Sequence, residues 1–380
     1  MPLAPALAEL AAYPFVRQDE AKAAVAARGV ELIDFGMGDP REPTPAFIRD
    51  ALVAAVEETS SYPRAVGLPE LREAIAAWAR RRFGVALDPA TEIVPTLGSK
   101  EAIFSLAQMV AGPGKDAVII PEPAYPVYER GALFGGAEPV FVPLLEANGF
   151  LPDLDAIDEA LLARAAVFWV NYPNNPTGAL APLPFYERLA ELARRHDFVL
   201  ASDEAYSELW FDEPPASALE LDDRTNVLVF NTLSKRSSMT GYRSGFAAGD
   251  AALVTAMKAF RPTVGTAPQE FVQRASIAAW GDEEHVAATR EVYRRKREVF
   301  LDLFARKGIR VAASHATMYL WFEVPGGEDA EAFAARLLEH GVVLSPGSYF
   351  GPAGAGYARI ALVPTLEDCR RAAAIMEEVL

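Results

Sequence analysis

A chain of 380 residues, 51% of them hydrophobic, carries more apolar material than one ordinary core needs, so two domains are expected. Its net charge of -16 repels nucleic-acid phosphates, and no apolar run approaches the roughly 20 residues of a membrane span. The single cysteine, Cys369, excludes an intrachain disulfide, and any anionic ligand must be held by local basic groups against the global field.

The first stretch, "MPLAPALAELAAYPF", has no basic leader and is interrupted by Glu9, so it reads as an N-terminal arm rather than a signal peptide. A cytoplasmic protein is the expectation. "LPELREAIAAWARRRFG" has helical periodicity, with Leu71, Ile75, Trp78 and Phe83 apolar and a stop at Gly84. "TLGSKEAIFSLAQMVAG" is a second helix. "DAVIIPEPAYPVY" is a short apolar strand ending in prolines, and "AAVFWVNYPNNPTG" is a strand ending in a turn cluster. "FYERLAELARRHD" is a helix, and "FVLASDEAY" and "NVLVFNTLSK" are strands. Buried strands alternating with helices argue for a mainly parallel sheet covered on both faces. From about residue 280, the long helix "EEHVAATREVYRRKREVFLDLFARKG" leads into "YLWFEVP", a helix, "GVVLSPGSYF" and "YARIALV", which read as a smaller α+β domain. The predicted division is 1–45 as arm and part of the small domain, 46–280 as the large domain, and 281–380 as the small domain.

Ligands of such sheets bind beyond the carboxyl ends of the strands, so those ends carry the argument. Asn171 and the run Asn174-Asn175-Pro176-Thr177-Gly178 follow one strand; Asp203, Glu204 and Tyr206 end or follow the next; Thr232, Ser234, Lys235 and Arg243 end or follow the third. Gly98 and Ser99 open a helix. Taken singly, these are a turn, a cap, a structural carboxylate and a surface lysine. Together they fit one chemistry. A lysine amine can form an imine with the aldehyde of pyridoxal phosphate, a carboxylate can partner the pyridine nitrogen, and a helix start with hydroxyls and an arginine can take the phosphate.

On "NNPTG", "SDEAY" and "TLSKRSSMTGYRSG", in this order and spacing, the chain resembles the fold-type I pyridoxal-phosphate enzymes, and within them the class I/II aminotransferases. The resemblance runs from "DFGMGDPREPTP" to "YARIALV". It implies an α/β large domain with a mainly parallel seven-stranded sheet covered by helices, plus a smaller α+β domain, as in aspartate aminotransferase. It implies Lys235 as the Schiff-base lysine and general base, Asp203 as partner of the pyridine nitrogen, and Asn175 and Tyr206 as donors to the ring oxygen. Gly98, Ser99 and Lys100 resemble the phosphate loop, Thr232 and Arg243 its hydroxyl and guanidinium, and Tyr125 the aromatic against the ring face. Tyr62, in "SYPRAVG", resembles a tyrosine reaching the neighbouring subunit's phosphate, which implies a homodimer with shared sites. Arg359 resembles the arginine on the substrate α-carboxylate, with Gly38 and Asn175 lining the same pocket, and the Asn175–Pro176 bond is expected to be cis.

The phrases "LSKRSSMTGYRSGFAAGD" and "PGSYFGPAGAGYARIALVPTLEDC" resemble the N-succinyl-diaminopimelate aminotransferases of lysine biosynthesis, and "PTLGSKEAIF" resembles the LL-diaminopimelate aminotransferases. Both imply glutamate and 2-oxoglutarate as the second amino pair. A distal substrate carboxylate calls for another cation, with Arg41, Arg64 and Arg236 as candidates. Arg41-Glu42 stands where an Asp-Phe pair is common in relatives. Aspartate, alanine and aromatic amino acids remain alternative substrates. A carbon–sulfur β-lyase, a cofactor-dependent regulator and a cofactor-free binding module are rival readings. No metal is expected, because the four histidines lack ligand spacing.

Overall fold

Seven apolar or small-residue runs form one sheet: β2 (Ile93–Thr96), β3 (Ala117–Glu122), β4 (Glu138–Pro143), β5 (Ala165–Asn171), β6 (Val199–Asp203), β7 (Val227–Thr232) and β8 (Gly245–Gly249). The spatial order is β2-β8-β7-β6-β5-β3-β4. All neighbours from β7 to β4 pair in parallel, and β8 alone runs against both β7 and β2. This is a computed structural model, and it describes residues 6–7 and 14–380. Most of the stretch read as an arm lies outside the described residues.

The sheet is mainly parallel, as expected, and each face is covered by a buried cluster. One contains Trp78, Phe168, Leu200 and Trp280, the other Ile120, Trp169, Phe230 and Met257. The helix Pro69–Phe83 buries Leu71, Ile75 and Trp78 and ends at Gly84, whose φ of 73° suits a residue without Cβ. Three elements of the sheet had no strand-like pattern. β8 reads "GFAAG", and a Cβ at Gly249 would lie 2.2 Å from the Val227 carbonyl oxygen. Small residues are needed there because the backbones approach closely, and that need leaves no hydrophobic signature. β2 is four residues long and carries Pro95, and β4 is partly exposed.

A second core lies around an antiparallel sheet of four strands. In spatial order these are β12 (Ser345–Pro346), β13 (Tyr357–Ala361), β10 (Tyr319–Glu323) and β9 (Val311–Ala313). Phe300, Phe304, Phe322, Phe333 and Ile360 fill this core, and Ile33 and Phe35 from the N-terminal side join them. The short strand β1 (Ile33–Asp34) pairs in parallel with β11 (Val342–Val343). Tyr206 and Leu209, just beyond β6, belong to this same cluster, so the two cores meet beside the carboxyl edge of the large sheet.

The unusual pair at 41–42 has a structural account. Glu42 meets the buried ammonium of Lys296 at 2.5 Å, and that ammonium also donates to the Leu362 carbonyl at 3.2 Å. The segment around residues 36–42 is thereby tied to the long helix Glu284–Lys307. Arg41 itself is exposed.

Candidate active site

Because β5, β6 and β7 are parallel and in register, their last residues reach one edge together, with Asn171 opposite Asp203. There the chain encloses a cavity of about 380 Å³. Lys235, Asp203, Tyr206, Gly38, Ser99, Lys100, Tyr125, Asn175, Thr232, Arg243 and Arg359 all line it. Gly98 is not itself in the lining but directly precedes Ser99, which is. Tyr62, by contrast, is wholly exposed in the single chain and outside the cavity.

At the cradle end, the helix Gly98–Val110 begins at the cavity wall. Its first N–H groups have no partner within the helix, which makes the start a place for an anion. Gly98 has φ +69°, and a Cβ there would lie 2.6 Å from Arg243 Nη2. Arg243 also adopts a left-handed backbone, φ 53°, and donates to the Thr240 and Leu97 carbonyls. Thr232 caps the turn Leu233–Arg236 by accepting from the Ser234 N–H at 3.2 Å, and its hydroxyl donates to the Ser244 carbonyl at 3.0 Å. The helix start is itself pinned: Arg261, 1% exposed, pairs with Glu101 at 2.9 Å and donates to the Pro95 carbonyl. Burial, then Arg243 and Arg130, lower the Lys100 pKa, so this end concentrates positive charge within an acidic chain.

Across the floor, Asp203 is buried and accepts from the Tyr128 hydroxyl at 2.7 Å and the Ala205 N–H at 3.3 Å. Burial raises its carboxyl to about 6, against the pull of these donors. Tyr128 is itself pushed well above the ordinary phenol range by burial and then by Asp203, so it keeps its proton and remains a donor. Asn171 donates to the Asp203 carbonyl at 2.7 Å and accepts from the Asn175 N–H at 2.9 Å, which locks the two strand ends together. The Asn175–Pro176 bond is cis, as expected, and so are Glu122–Pro123 and Tyr172–Pro173.

Lys235 points from its turn to the Gly38 carbonyl, 2.5 Å away. Burial brings its amine down to about 8; Asp39 pulls it up, and Arg359 and Arg243 push it down. The amine therefore loses its proton far more readily than an ordinary lysine, as a nucleophilic amine requires.

At the mouth, Arg359 is 3% exposed and donates to the Gly36 carbonyl at 2.6 Å and Asn175 Oδ1 at 2.8 Å. Its guanidinium lies between two rings, 4.3 Å from Tyr319 and 4.5 Å from Phe350. The Tyr319 hydroxyl is 2.9 Å from that of Tyr206. Gly38 is required under it, since a Cβ would fall 2.0 Å from Tyr319 Oη.

None of the three arginines considered for a distal carboxylate lines the cavity. Arg236 does not line the cavity: it is 1% exposed, donates to the Ala279 and Asp282 carbonyls and Glu283, and lies over Trp280. Successive residues on a helix diverge by about 100°, so Lys235 can face Gly38 while Arg236 faces Trp280. Arg64 is exposed and also outside the lining, as is Arg41. Glu204 is structural, accepting from Ser202, Ser217 and the Ala218 N–H, and burial raises it to about 7.

Sequence reasoning left Tyr128, Tyr319, Phe350 and Asp39 without roles. Tyr128 carried a usable signal, lying three residues beyond Tyr125 at a helix start. Tyr319 and Phe350 carried none, because their pairing with Tyr206 and Arg359 spans more than 100 residues or a strand change.

The donor set fits pyridoxal phosphate. A helix start, Ser99, Thr232, Ser234 and Arg243 suit a phosphate. Asp203 is a buried carboxylate with neutral donors around it, a place that a cationic ring N–H would complete. Lys235 supplies the amine.

The family model for aminotransferase class I and II matches residues 30–376. An LL-diaminopimelate aminotransferase from Nitratidesulfovibrio vulgaris (strain DSM 19637 / Miyazaki F) is 44% identical over 368 residues, covering 95% of this chain and 94% of that protein. Among solved structures, an aminotransferase from Neisseria meningitidis Z2491 superposes with a TM-score of 0.93 at 39% identity, covering both chains completely. A probable N-succinyldiaminopimelate aminotransferase from Thermus thermophilus gives 0.90 at 35% identity, covering 96% of this chain and all of that one.

Proposed function

The chain belongs to the class I and II aminotransferases, pyridoxal-phosphate-dependent transaminases, and on that premise we propose that it moves the amino group of LL-diaminopimelate to 2-oxoglutarate. The observation that carries the substrate is the near-full-length similarity to the Nitratidesulfovibrio enzyme of that name. The sequence phrases leaned to the N-succinyl substrate. That second reading keeps the support of the Thermus structure, at lower identity.

Bound, the cofactor supplies an aldehyde that takes up amines and a ring that withdraws electrons from the substrate Cα. The roles proposed for this chain's residues follow from where they stand. The Gly98–Lys100 backbone, Thr232, Ser234 and Arg243 hold the phosphate, and Tyr125 packs against the ring face. Asp203, oriented by Tyr128, holds the proton on the ring nitrogen. Asn175 and Tyr206 donate to the ring oxygen. Arg359 binds the α-carboxylate, and its two ring neighbours and two fixed acceptors orient the fork before substrate arrives. Lys235, whose amine would hold the cofactor's aldehyde at rest, would take the proton from the substrate Cα and later return it.

The exposed Tyr62 supports a homodimer in which each subunit completes its neighbour's phosphate site. The chain is proposed to divide at about 45 and 280 and to work in the cytoplasm; no helix among the described residues is long and apolar enough to cross a membrane. The test is glutamate formation from 2-oxoglutarate with a panel of amino donors. LL-diaminopimelate is expected to give the highest kcat/KM. A higher value with N-succinyl-LL-diaminopimelate, aspartate or alanine overturns the substrate assignment.

A further inference from the structure

Among the described residues, six charged side chains line the cavity: Asp39, Lys100, Asp203, Lys235, Arg243 and Arg359. Five have work in the reading above. Lys100 and Arg243 serve the phosphate end, Asp203 the ring nitrogen, Lys235 the reacting carbon and Arg359 the α-carboxylate. Asp39 has none. Its N–H bonds the Met37 carbonyl at 2.9 Å, but its carboxylate makes no hydrogen bond or ion pair with any other described residue.

The position of this carboxylate is informative. Asp39 is exposed and stands at the mouth, beside the equally exposed Met37 and next to Gly38, whose carbonyl receives Lys235. Its charge acts on Lys235 more strongly than that of any other residue, ahead of the Arg359, Arg243 and Asp203 charges. Asp39 is itself part of the cavity lining. The segment bearing it is fixed: Gly36 and Gly38 carbonyls engage Arg359 and Lys235, and Glu42 is held by Lys296. A substrate with its reacting carbon near Lys235 and its α-carboxylate on Arg359 has its far end free to reach such a mouth.

Two candidate substrates differ at that far end in charge. LL-diaminopimelate carries an ammonium and a carboxylate there, with no net charge. The N-succinyl form has an amide in place of the ammonium and gains a second carboxylate, so its far end is doubly anionic. A free carboxylate at the mouth attracts the first and repels the second, and the acidic chain as a whole reinforces the repulsion.

We propose that Asp39 is a specificity residue that accepts the distal ammonium of the substrate and thereby selects a free diamino dicarboxylic acid over its N-acylated form. This rests on the diaminopimelate reading of the site.

The test compares kcat/KM of the holoenzyme for LL-diaminopimelate and for L-2-aminopimelate, which has the same length but no distal ammonium. Asp39→Asn is expected to lower the ratio of the two by about tenfold, mostly through KM, as loss of one charge-assisted contact implies. The same variant raises the N-succinyl-to-free ratio. Asp39→Glu keeps the charge and most of the discrimination. The ratio cancels any change that Asp39 exerts through the basicity of Lys235, which alters both substrates alike. If wild-type enzyme uses LL-diaminopimelate and Asp39→Asn leaves the ratio within twofold, the proposal is overturned and the substrate reading stands. If wild-type enzyme turns over other donors but not LL-diaminopimelate, both are overturned.

Discussion

The two ends of the cavity are built differently. The cradle end comes from two short stretches, 97–100 and 232–245, whose residues contact one another across adjacent strands. The mouth draws Gly36, Gly38 and Asp39, Asn175, Tyr319, Phe350 and Arg359 from five separate segments. In the cradle, local backbone geometry does the binding: a helix start, a capped turn and a glycine under Arg243. At the mouth, an arginine is held by rings and carbonyls contributed from both cores. A cradle of this kind is set by a few motifs, whereas a mouth can be altered by changes almost anywhere. On the proposed reading, that difference puts cofactor binding in the first and substrate choice in the second.

The largest effect expected is at the junction of the two ends. Lys235→Ala removes the amine proposed both to bind the cofactor and to act as base, so turnover is expected to fall by about four orders of magnitude. The visible absorbance of the bound cofactor shifts at the same time. At the mouth, Arg359→Lys cannot span Gly36 and Asn175 while presenting a fork, and kcat/KM falls about a hundredfold with cofactor affinity little changed. In the cradle, Gly98→Ala places a methyl against Arg243 and strains φ, and the cofactor dissociation constant, read by absorbance titration, rises at least about tenfold. Opposite outcomes for these last two, with Arg359→Lys losing cofactor and Gly98→Ala losing only substrate, would break the comparison.

Smaller effects sharpen it. The Lys235 amine, lowered to about 8, is charged below that pH and neutral above it. Cofactor capture by the cofactor-free protein should therefore speed up as pH rises and level off just above 8. A rate still climbing toward 10 would show an amine of ordinary basicity. Glu42→Gln leaves Lys296 buried without its counter-ion and should cost about 2–4 kcal/mol of stability, measured by denaturant unfolding.

The same contrast explains what could be read from the sequence. "TLGSK", "SDEAY" and "TLSKRSSMTGYRSG" are contiguous, and the helix opened by the first and the strands β6 and β7 of the other two appear where the hydrophobic pattern put them. β8 was not legible because its glycines answer to backbone clearance rather than burial. Arg236 looked like a substrate contact because it adjoins Lys235, and only the helical turn shows that it faces Trp280. Tyr319 and Phe350 gave no local sign, since what makes them part of the site is the fold that lays Arg359 between them. Asp39 was visible within "GMGDP", but its place on the cavity lining is a property of three dimensions.

The most direct test of amino transfer in this cavity is a single turnover without acceptor. Coloured holoenzyme mixed with excess LL-diaminopimelate should lose its visible absorbance while releasing one keto product per site and no ammonia, and 2-oxoglutarate should then restore the colour with one glutamate formed. Continuous release of ammonia and a keto acid in the absence of any acceptor would contradict the account and mark the enzyme as a lyase.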